Sequence, residues 1–128
     1  MPYRFQWGNY YTRTFISQQI GGGIRNYLPH HDGNVVRECF TREKNPNAPQ
    51  KALPGNTQDK IRWATRFADQ NTPVPVLVKQ GRNRWEYVGL WRVEKKSTNP
   101  KEIAKANADA GRTDVAMVLS LVEEKGAY

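Results

Sequence analysis

Two adjacent histidines and an aspartate, His30, His31 and Asp32, are the residues whose types could most readily support catalysis. A histidine can act as a general base near neutral pH, and imidazole and carboxylate groups also bind metal ions. The sequence has no H-x-E or C-x-x-C motif to complete such a site, and adjacent side chains in an extended segment point to opposite faces. We therefore expect a protein that is not an enzyme and has no metal or cofactor, with a nuclease-type activity of this trio as the catalytic alternative.

Cysteine chemistry is limited to Cys39, which lies in a segment typical of a buried strand. A single cysteine excludes both an intrachain disulfide and a cysteine metal cluster. The N-terminus lacks the apolar stretch of a signal peptide, and nowhere do about 18 apolar residues run together. We expect an intracellular protein, nuclear if its source is eukaryotic, that does not bind membranes.

The charge balance points to a polyanionic partner. The chain has 20 Lys and Arg against 12 Asp and Glu, a net charge of +8. Such a surface attracts nucleic acid over distances comparable to a Debye length. Net charge reports partners only weakly, so a basic protein that is merely soluble is the alternative.

The length of 128 residues accommodates a single domain, residues 1–128, with one core. Residues 1–13 form an N-terminal aromatic arm that we expect to lie across this domain. The aromatic residues of the arm are Tyr3, Phe5, Trp7, Tyr10 and Tyr11.

Two helices are expected. Thr57 can cap a helix over residues 58–70 whose apolar stripe includes Ile61 and Ala64. Asn99 can cap a second helix that ends before Gly111.

The remaining patterns predict strands over residues 34–41, 74–79, 84–96 and 114–123, the middle two forming a hairpin around residues 80–83. Residues 15–20, between the arm and three glycines, are grouped with the strands. In the returning hairpin strand, Trp85, Tyr87, Trp91 and Val93 should share one face, and Gly89 marks a possible bulge. Residues 42–56 read as a long polar loop. The order predicts an α+β fold with a curved, mostly antiparallel sheet that forms a partly open β-barrel.

Three blocks in this order resemble SRA (SET- and RING-associated, or YDG) domains of the PUA-like superfamily. They are IGGGIRNYLP with DGNVVRECFT, PGN with a helix and TPVPVLVKQG, and YVGLWRVEKK with DVAMVLSLVEE. A closer resemblance is to a domain of unassigned function found mainly in fungal proteins. The shared positions are Asn45, Pro46, Ala48, Pro49 and Gly55 in the loop, and Trp85, Tyr87, Gly89, Trp91 and Val93 in the strand. Val88 stands where the YDG pattern has aspartate.

The resemblance implies a PUA/SRA-like barrel and a non-catalytic DNA-binding domain that reads a modified or flipped-out base. Such readers stack the base between rings and bind its Watson-Crick edge. For this base pocket the candidates are Tyr27, Phe40 and Trp91 for stacking, and Asp32 or Asn34 for the edge. Phe40 and Trp91 lie on predicted strands, so they are equally candidates for the core.

Contacts to the nucleic-acid backbone would come from lysines and arginines, with those of the hairpin tip favoured. The candidates are Arg25, Lys44, Lys51, Lys60, Arg62, Arg66, Lys79, Arg82 and Arg84. DNA is favoured over RNA as the partner. Two alternatives remain open: an RNA-binding PUA-like module that stacks unpaired bases, and a protein-interaction domain that docks through its aromatic arm.

Overall fold

The computed structural model describes residues 5–20, 30–31, 34–35 and 37–124. Their helices are α1 (Arg13–Ile20), α2 (Gln58–Gln70) and α3 (Pro100–Ala110). Their strands are β1 (Tyr10–Tyr11), β2 (His30–His31), β3 (Asn34–Val35), β4 (Glu38–Phe40), β5 (Lys51–Ala52), β6 (Val74–Gly81), β7 (Arg84–Ser97) and β8 (Val118–Glu123).

Strand β7 organises the main sheet of six strands. One edge of β7 pairs antiparallel with β6. The other edge pairs with β1 near the start of β7 and with β8 near the end of β7. Strand β4 extends the sheet beside β6 as its parallel pair, and β5 extends it beside β8. Within the described residues the order β4-β6-β7-β8-β5 does not close on itself. The predicted α+β fold with a mostly antiparallel, partly open sheet is confirmed.

Helices α2 and α3 form where local capping groups predict them. The Thr57 hydroxyl accepts a hydrogen bond from the Lys60 amide at 3.3 Å, and α2 runs over the predicted residues 58–70. The Asn99 side chain accepts from the Lys101 amide at 2.9 Å, and α3 ends at Gly111 with a left-handed φ of 64°. None of the described helices is long and apolar enough to span a membrane.

The predicted number of two helices is wrong, because residues 13–20 form α1. The Thr12 hydroxyl caps this helix by accepting a hydrogen bond from the Phe15 amide at 3.1 Å. The side chain of Ile16, within the helix, is fully buried. The segment is too short and too polar to show a helical period in the sequence. The capping residue Thr12 was the sequence signal that could have indicated a helix here.

A bulge at Gly89 divides β7 into two parts that face different clusters. Val88 and Gly89 together lie opposite Val76, since Leu77 pairs with Tyr87 and Pro75 pairs with Leu90. The extra residue reverses the alternation of side chains. The expected bulge is present, but the expectation that Trp85, Tyr87, Trp91 and Val93 share one face is wrong.

The two parts of β7 supply separate hydrophobic clusters. Trp85 and Tyr87 pack with Phe5 and Leu77, against which α1 also lies. Trp91 and Val93 pack with the apolar face of α2, including Phe67, in the largest cluster. The bulge therefore switches the odd-numbered residues of β7 from the cluster beside α1 to the cluster beside α2.

Strand β4 carries two buried charged residues on successive positions, Arg37 just before it and Glu38 at its start. Burial lowers the pKa of the Arg37 guanidinium and raises the pKa of the Glu38 carboxyl well above its usual 4.5. Both Glu38 oxygens lack a hydrogen-bond partner among the described residues. The folded state therefore favours the protonated carboxyl more strongly than the unfolded chain does.

Replacing Gly89 with alanine should destabilise the fold by about 1–3 kcal/mol. Gly89 has a φ of +109°, and a Cβ there would lie 2.8 Å from Glu123 Oε2 and 3.4 Å from Trp7 Nε1. Urea denaturation measures the loss. The matched control is Gly81→Ala, where the nearest atom to a Cβ is 3.9 Å away and the change should stay within about 0.5 kcal/mol. Equal effects of the two changes would contradict a strained bulge.

Glu38→Gln should make the free energy of unfolding less dependent on pH above about pH 5. The folded state holds the Glu38 proton more tightly than the unfolded chain, so the stability it confers is complete below the usual carboxyl pKa. That stability is lost as the pH rises toward the raised pKa, with a slope of at most about 1.4 kcal/mol per pH unit. Urea denaturation of both proteins between pH 5 and 9 tests this, with exposed Glu94→Gln as the control. Parallel curves for wild type and Glu38→Gln would contradict it.

Candidate functional site

A cleft of about 530 Å³ opens where β4, the start of α2 and the β6–β7 hairpin come together. Its walls combine aromatic, cationic and acidic side chains. The lining residues are Arg13, Cys39, Thr41, Glu43, Lys44, Asn45, Leu53, Gly55, Thr57, Asp59, Lys60, Trp63, Lys79, Trp85, Arg112 and Asp114.

Three lysines predicted to contact nucleic acid meet around this cleft. Lys44 lies in the turn that follows β4, Lys60 in the first turn of α2, and Lys79 near the end of β6. All three are exposed, and none makes an ion pair with a residue that the structure describes. The fold thus brings cations from three separate segments to one opening.

Arg112 fixes the wall opposite the hairpin. Its Nε donates to Asp114 Oδ1 at 2.8 Å, and its Nη1 donates to the carbonyls of Lys44 at 3.0 Å and Leu53 at 2.7 Å. The bond from Arg112 is also the main reason why the pKa of the Asp114 carboxyl lies below its usual value. Arg112 thereby ties the loop of residues 42–56 to the end of α3 and keeps Asp114 ionised.

Two of the three carboxylates in the cleft already have cationic partners. Asp114 pairs with Arg112, and Asp59 pairs with Arg62 at 2.9 Å on the exposed side of α2. The third, Glu43, is exposed. Because Arg112 and Arg62 balance these charges, the three lysines leave the rim of the cleft electropositive.

Two tryptophans line the cleft. Trp85 is 6% exposed, with the Arg13 guanidinium 4.8 Å and the Lys79 ammonium 6.0 Å from the ring centroid. Trp63 is half-buried, packs partly against the largest cluster, and has Arg62 Cζ 5.3 Å from its ring. Cations over aromatic faces hold the rings in place and add positive charge to the cleft wall.

The other predicted backbone-contact residues lie at different places. Arg82 and Arg84 are exposed at the hairpin tip. The tip lies beside the cleft, because the pair of cleft residues Lys79 and Trp85 is next to the pair Gly81 and Arg84 that closes the hairpin. Arg66 is exposed on α2 outside the lining.

Lys51 borders a separate groove of about 260 Å³ beside α3, where it donates to the Ser120 hydroxyl at 3.2 Å. Arg62 forms the ion pair with Asp59 and also lies outside the lining. Arg25 falls outside the described residues.

The predicted base pocket is not assembled by the described residues. Tyr27 and Asp32 lie outside them, and Asn34 pairs with His31 in β3 but its side chain is not described. Phe40 is fully buried, while Trp91 is 8% exposed and donates through Nε1 to the Val88 carbonyl at 2.9 Å. Stacking of a base on these two rings stays a prediction that their packing does not favour.

The catalytic alternative on His30, His31 and Asp32 also stays a prediction. His30 pairs with Val35 and His31 with Asn34 in the small β2–β3 sheet, and their side chains are not described. This sheet contributes no residue to the lining of the cleft.

Sequence reasoning missed four residues that shape the cleft: Arg13, Trp63, Trp85 and Arg112. Each tryptophan packs with a hydrophobic cluster and also lines the cleft, and an apolar pattern in the sequence indicates only the first of these roles. Arg112 follows the glycine that ends α3, and only its partners in three-dimensional space reveal its role.

Arg112→Ala should destabilise the protein by about 2 kcal/mol, since it leaves a largely buried backbone carbonyl and a carboxylate without their donor. Hydrogen exchange of amides in residues 42–56 should accelerate at the same time. Urea denaturation and exchange mass spectrometry measure the two effects. Exposed Arg42→Ala is the control, and unchanged exchange in Arg112→Ala would contradict the proposed tie.

Comparisons with known proteins agree with this architecture. KRYPTONITE, solved in complex with mCHG DNA and SAH, matches 95% of this chain at a TM-score of 0.63 and 12% identity. The match spans 32% of the KRYPTONITE chain. The SRA of SUVH5, solved in complex with hemi-methylated CG DNA, matches 98% of this chain and 93% of its own at a TM-score of 0.58 and 11% identity. At these identities the likeness shows an SRA-like fold, as the resemblance predicted.

Sequence comparison places the chain in a family. No curated protein matches the sequence. A family model described as a domain of unknown function, DUF6697, matches residues 10–120, which include every described element except the beginning of the arm and the end of β8. That the family occurs mainly in fungi stays a prediction. The chain belongs to the DUF6697 family, and its fold is that of an SRA domain.

Proposed function

We propose that this protein is a non-catalytic DNA-binding domain that binds the phosphate backbone through the rim of the cleft and the tip of the β6–β7 hairpin. The observation that carries the proposal is the convergence of Lys44, Lys60 and Lys79 on one opening lined by tryptophan rings. The SRA-like fold supports it, since both solved relatives were crystallised with methylated DNA.

The distribution of charge supports the proposal more than the net charge does. A phosphate backbone is bound by cations that lie along one path, because each contact releases condensed counterions. Lys79 is adjacent to the hairpin tip, where Arg82 and Arg84 are exposed. The tip therefore adds exposed positive charge next to the rim, and contacts of these cations with phosphate would position a duplex without reading its sequence.

We further propose that the cleft receives one flipped-out base. Its volume of about 530 Å³ lies within the range of about 300–1,000 Å³ of pockets that hold small ligands. Trp63 offers a partly exposed ring, and Asp114 offers a carboxylate that Arg112 keeps ionised. Such a carboxylate can accept a hydrogen bond from the exocyclic amino group of cytosine. These residues replace Phe40 and Trp91 as the proposed pocket.

The triple variant Lys44→Ala/Lys60→Ala/Lys79→Ala should weaken binding to duplex DNA and make it less dependent on salt. Each lost phosphate contact lowers the slope of log K against log salt by about 0.9, so the slope should fall by about 2 to 3. Fluorescence polarisation across a range of salt concentrations measures it. The control is Lys96→Ala/Lys101→Ala/Lys105→Ala, which removes the same charge from exposed lysines that do not line the cleft. Equal slopes for the two triple variants would show that binding is nonspecific electrostatic attraction and would contradict a binding role of the rim.

The ligand panel in this experiment also separates the alternatives. Duplexes with plain, methylated and hydroxymethylated cytosine test base reading, and single-stranded RNA as competitor tests the RNA-binding alternative. Asp114→Asn should weaken binding to all three duplexes by a similar factor and leave the salt slope unchanged, because all three cytosines carry the exocyclic amino group that Asp114 is proposed to bind. Identical affinity for all three duplexes would reject the reading of a modified base.

A further inference from the structure

The aromatic arm contains rings of two kinds. Phe5 and Tyr11 of the arm pack on each other and on Phe15 of α1 with ring centroids 4.9 to 6.2 Å apart, and Phe5 also stacks on Tyr87 at 5.5 Å. Trp7 and Tyr10, in contrast, are 66% and 49% exposed. Burial of the first three rings explains how the arm is anchored, but it gives no reason for the two exposed rings.

The backbone holds these two rings in fixed positions. Gly8 donates to the Tyr87 carbonyl at 2.8 Å, and Tyr87 donates to the Asn9 carbonyl at 3.0 Å. The Gln6 amide donates to the Tyr11 hydroxyl at 2.8 Å. Exposed aromatic side chains on an anchored backbone lose little conformational entropy when a ligand stacks on them.

Tyr10 and the wall of the cleft formed by Lys79 and Trp85 lie on opposite faces of the hairpin. Tyr11 pairs with Trp85, whose ring lines the cleft, so Tyr10, which pairs with Glu86, points to the other face. Arg84 lies on this same face, with its Cζ 4.4 Å from the centroid of the Tyr10 ring. We group Tyr10 and Arg84 with Arg82, which is exposed in the adjacent turn, and with Trp7, whose Nε1 lies beside Gly89, as the outer patch.

The charges of the outer patch suit a nucleic-acid strand. Neither Arg82 nor Arg84 makes an ion pair with any residue in the described part of the chain. Two carboxylates lie nearby: Glu86 accepts from Gln80 at 2.9 Å, and Glu123 lies beside the bulge at Gly89 next to Trp7. Both arginines are exposed, whereas both carboxylates are half-buried, so positive charge predominates at the surface of the tip.

We propose that the outer patch binds unpaired bases of the same nucleic acid that the cleft binds, by stacking on Trp7 and Tyr10 while Arg82 and Arg84 contact phosphate. This inference rests on the proposed function and adds a second site on the far side of the hairpin tip. Base stacking on an aromatic side chain tolerates any sequence, because every base has a flat face. A strand displaced from the duplex at the tip would meet the exposed Tyr10 ring, which lies 4.4 Å from Arg84 Cζ.

The test compares a blunt duplex with the same duplex carrying a short unpaired overhang. For the wild type, the overhang should raise the affinity by about five-fold to a hundred-fold, the equivalent of about 1–3 kcal/mol for one stacked base. Trp7→Ala/Tyr10→Ala should lose this gain and bind the blunt duplex as the wild type does. Trp7→Phe/Tyr10→Phe, which retains flat rings, should keep most of the gain.

Circular dichroism and urea denaturation show whether the variants fold, and 2-aminopurine at the first unpaired position reports stacking directly through its quenched fluorescence. If the wild type binds neither ligand, the proposed function itself is wrong, and this inference with it. If the wild type binds the blunt duplex but gains nothing from the overhang, the stacking inference alone is wrong. It is also wrong if Trp7→Ala/Tyr10→Ala keeps the gain, which would favour protein docking by the arm.

Discussion

The pairing of β7 along both of its edges is the constraint on which the other elements depend. Strand β6 occupies one edge, while β1 and β8 divide the other, so the arm, the hairpin and the final strand all take their register from β7. The bulge at Gly89 then turns the side chains of its two parts to opposite faces. As a result, Trp85 and Tyr87 pack on the side of α1 while Trp91 and Val93 pack on the side of α2, although all four stand at odd-numbered positions of one strand.

The same bulge determines which tryptophan of β7 lines the cleft and which is buried in the core. Because the alternation reverses after Tyr87, Trp85 faces the cleft with Lys79, while Trp91 faces the largest cluster and is enclosed by it. Without the extra residue, either Trp85 would leave the cleft or Trp91 would leave the core. The separation of a binding ring from a core ring in one strand is therefore a consequence of backbone register and not of residue type.

The sequence predicted the features that local chemistry controls. The caps at Thr57, Asn99 and Gly111 locate α2 and α3, and the hairpin follows from two apolar runs around a short polar turn. The site could be predicted only as a set of cations. That Lys44 and Lys60 belong together while Lys51 does not depends on how the loop of residues 42–56 folds against Arg112, whose hydrogen bonds span 59 and 68 residues of sequence. Periodicity carries no information about contacts of that range.

The distribution of charge around the cleft argues for a polyanion that lies across the opening and inserts only a neutral group. Inside the cleft Asp114 forms an ion pair with Arg112 and the Arg13 guanidinium lies over the Trp85 ring, while the exposed lysines leave the rim positive. A buried phosphate would have to lose its hydration beside Asp114, which is unfavourable, whereas a phosphate at the rim keeps its water and gains three ammonium groups. A nucleotide whose phosphates stay outside and whose base turns inward satisfies both conditions.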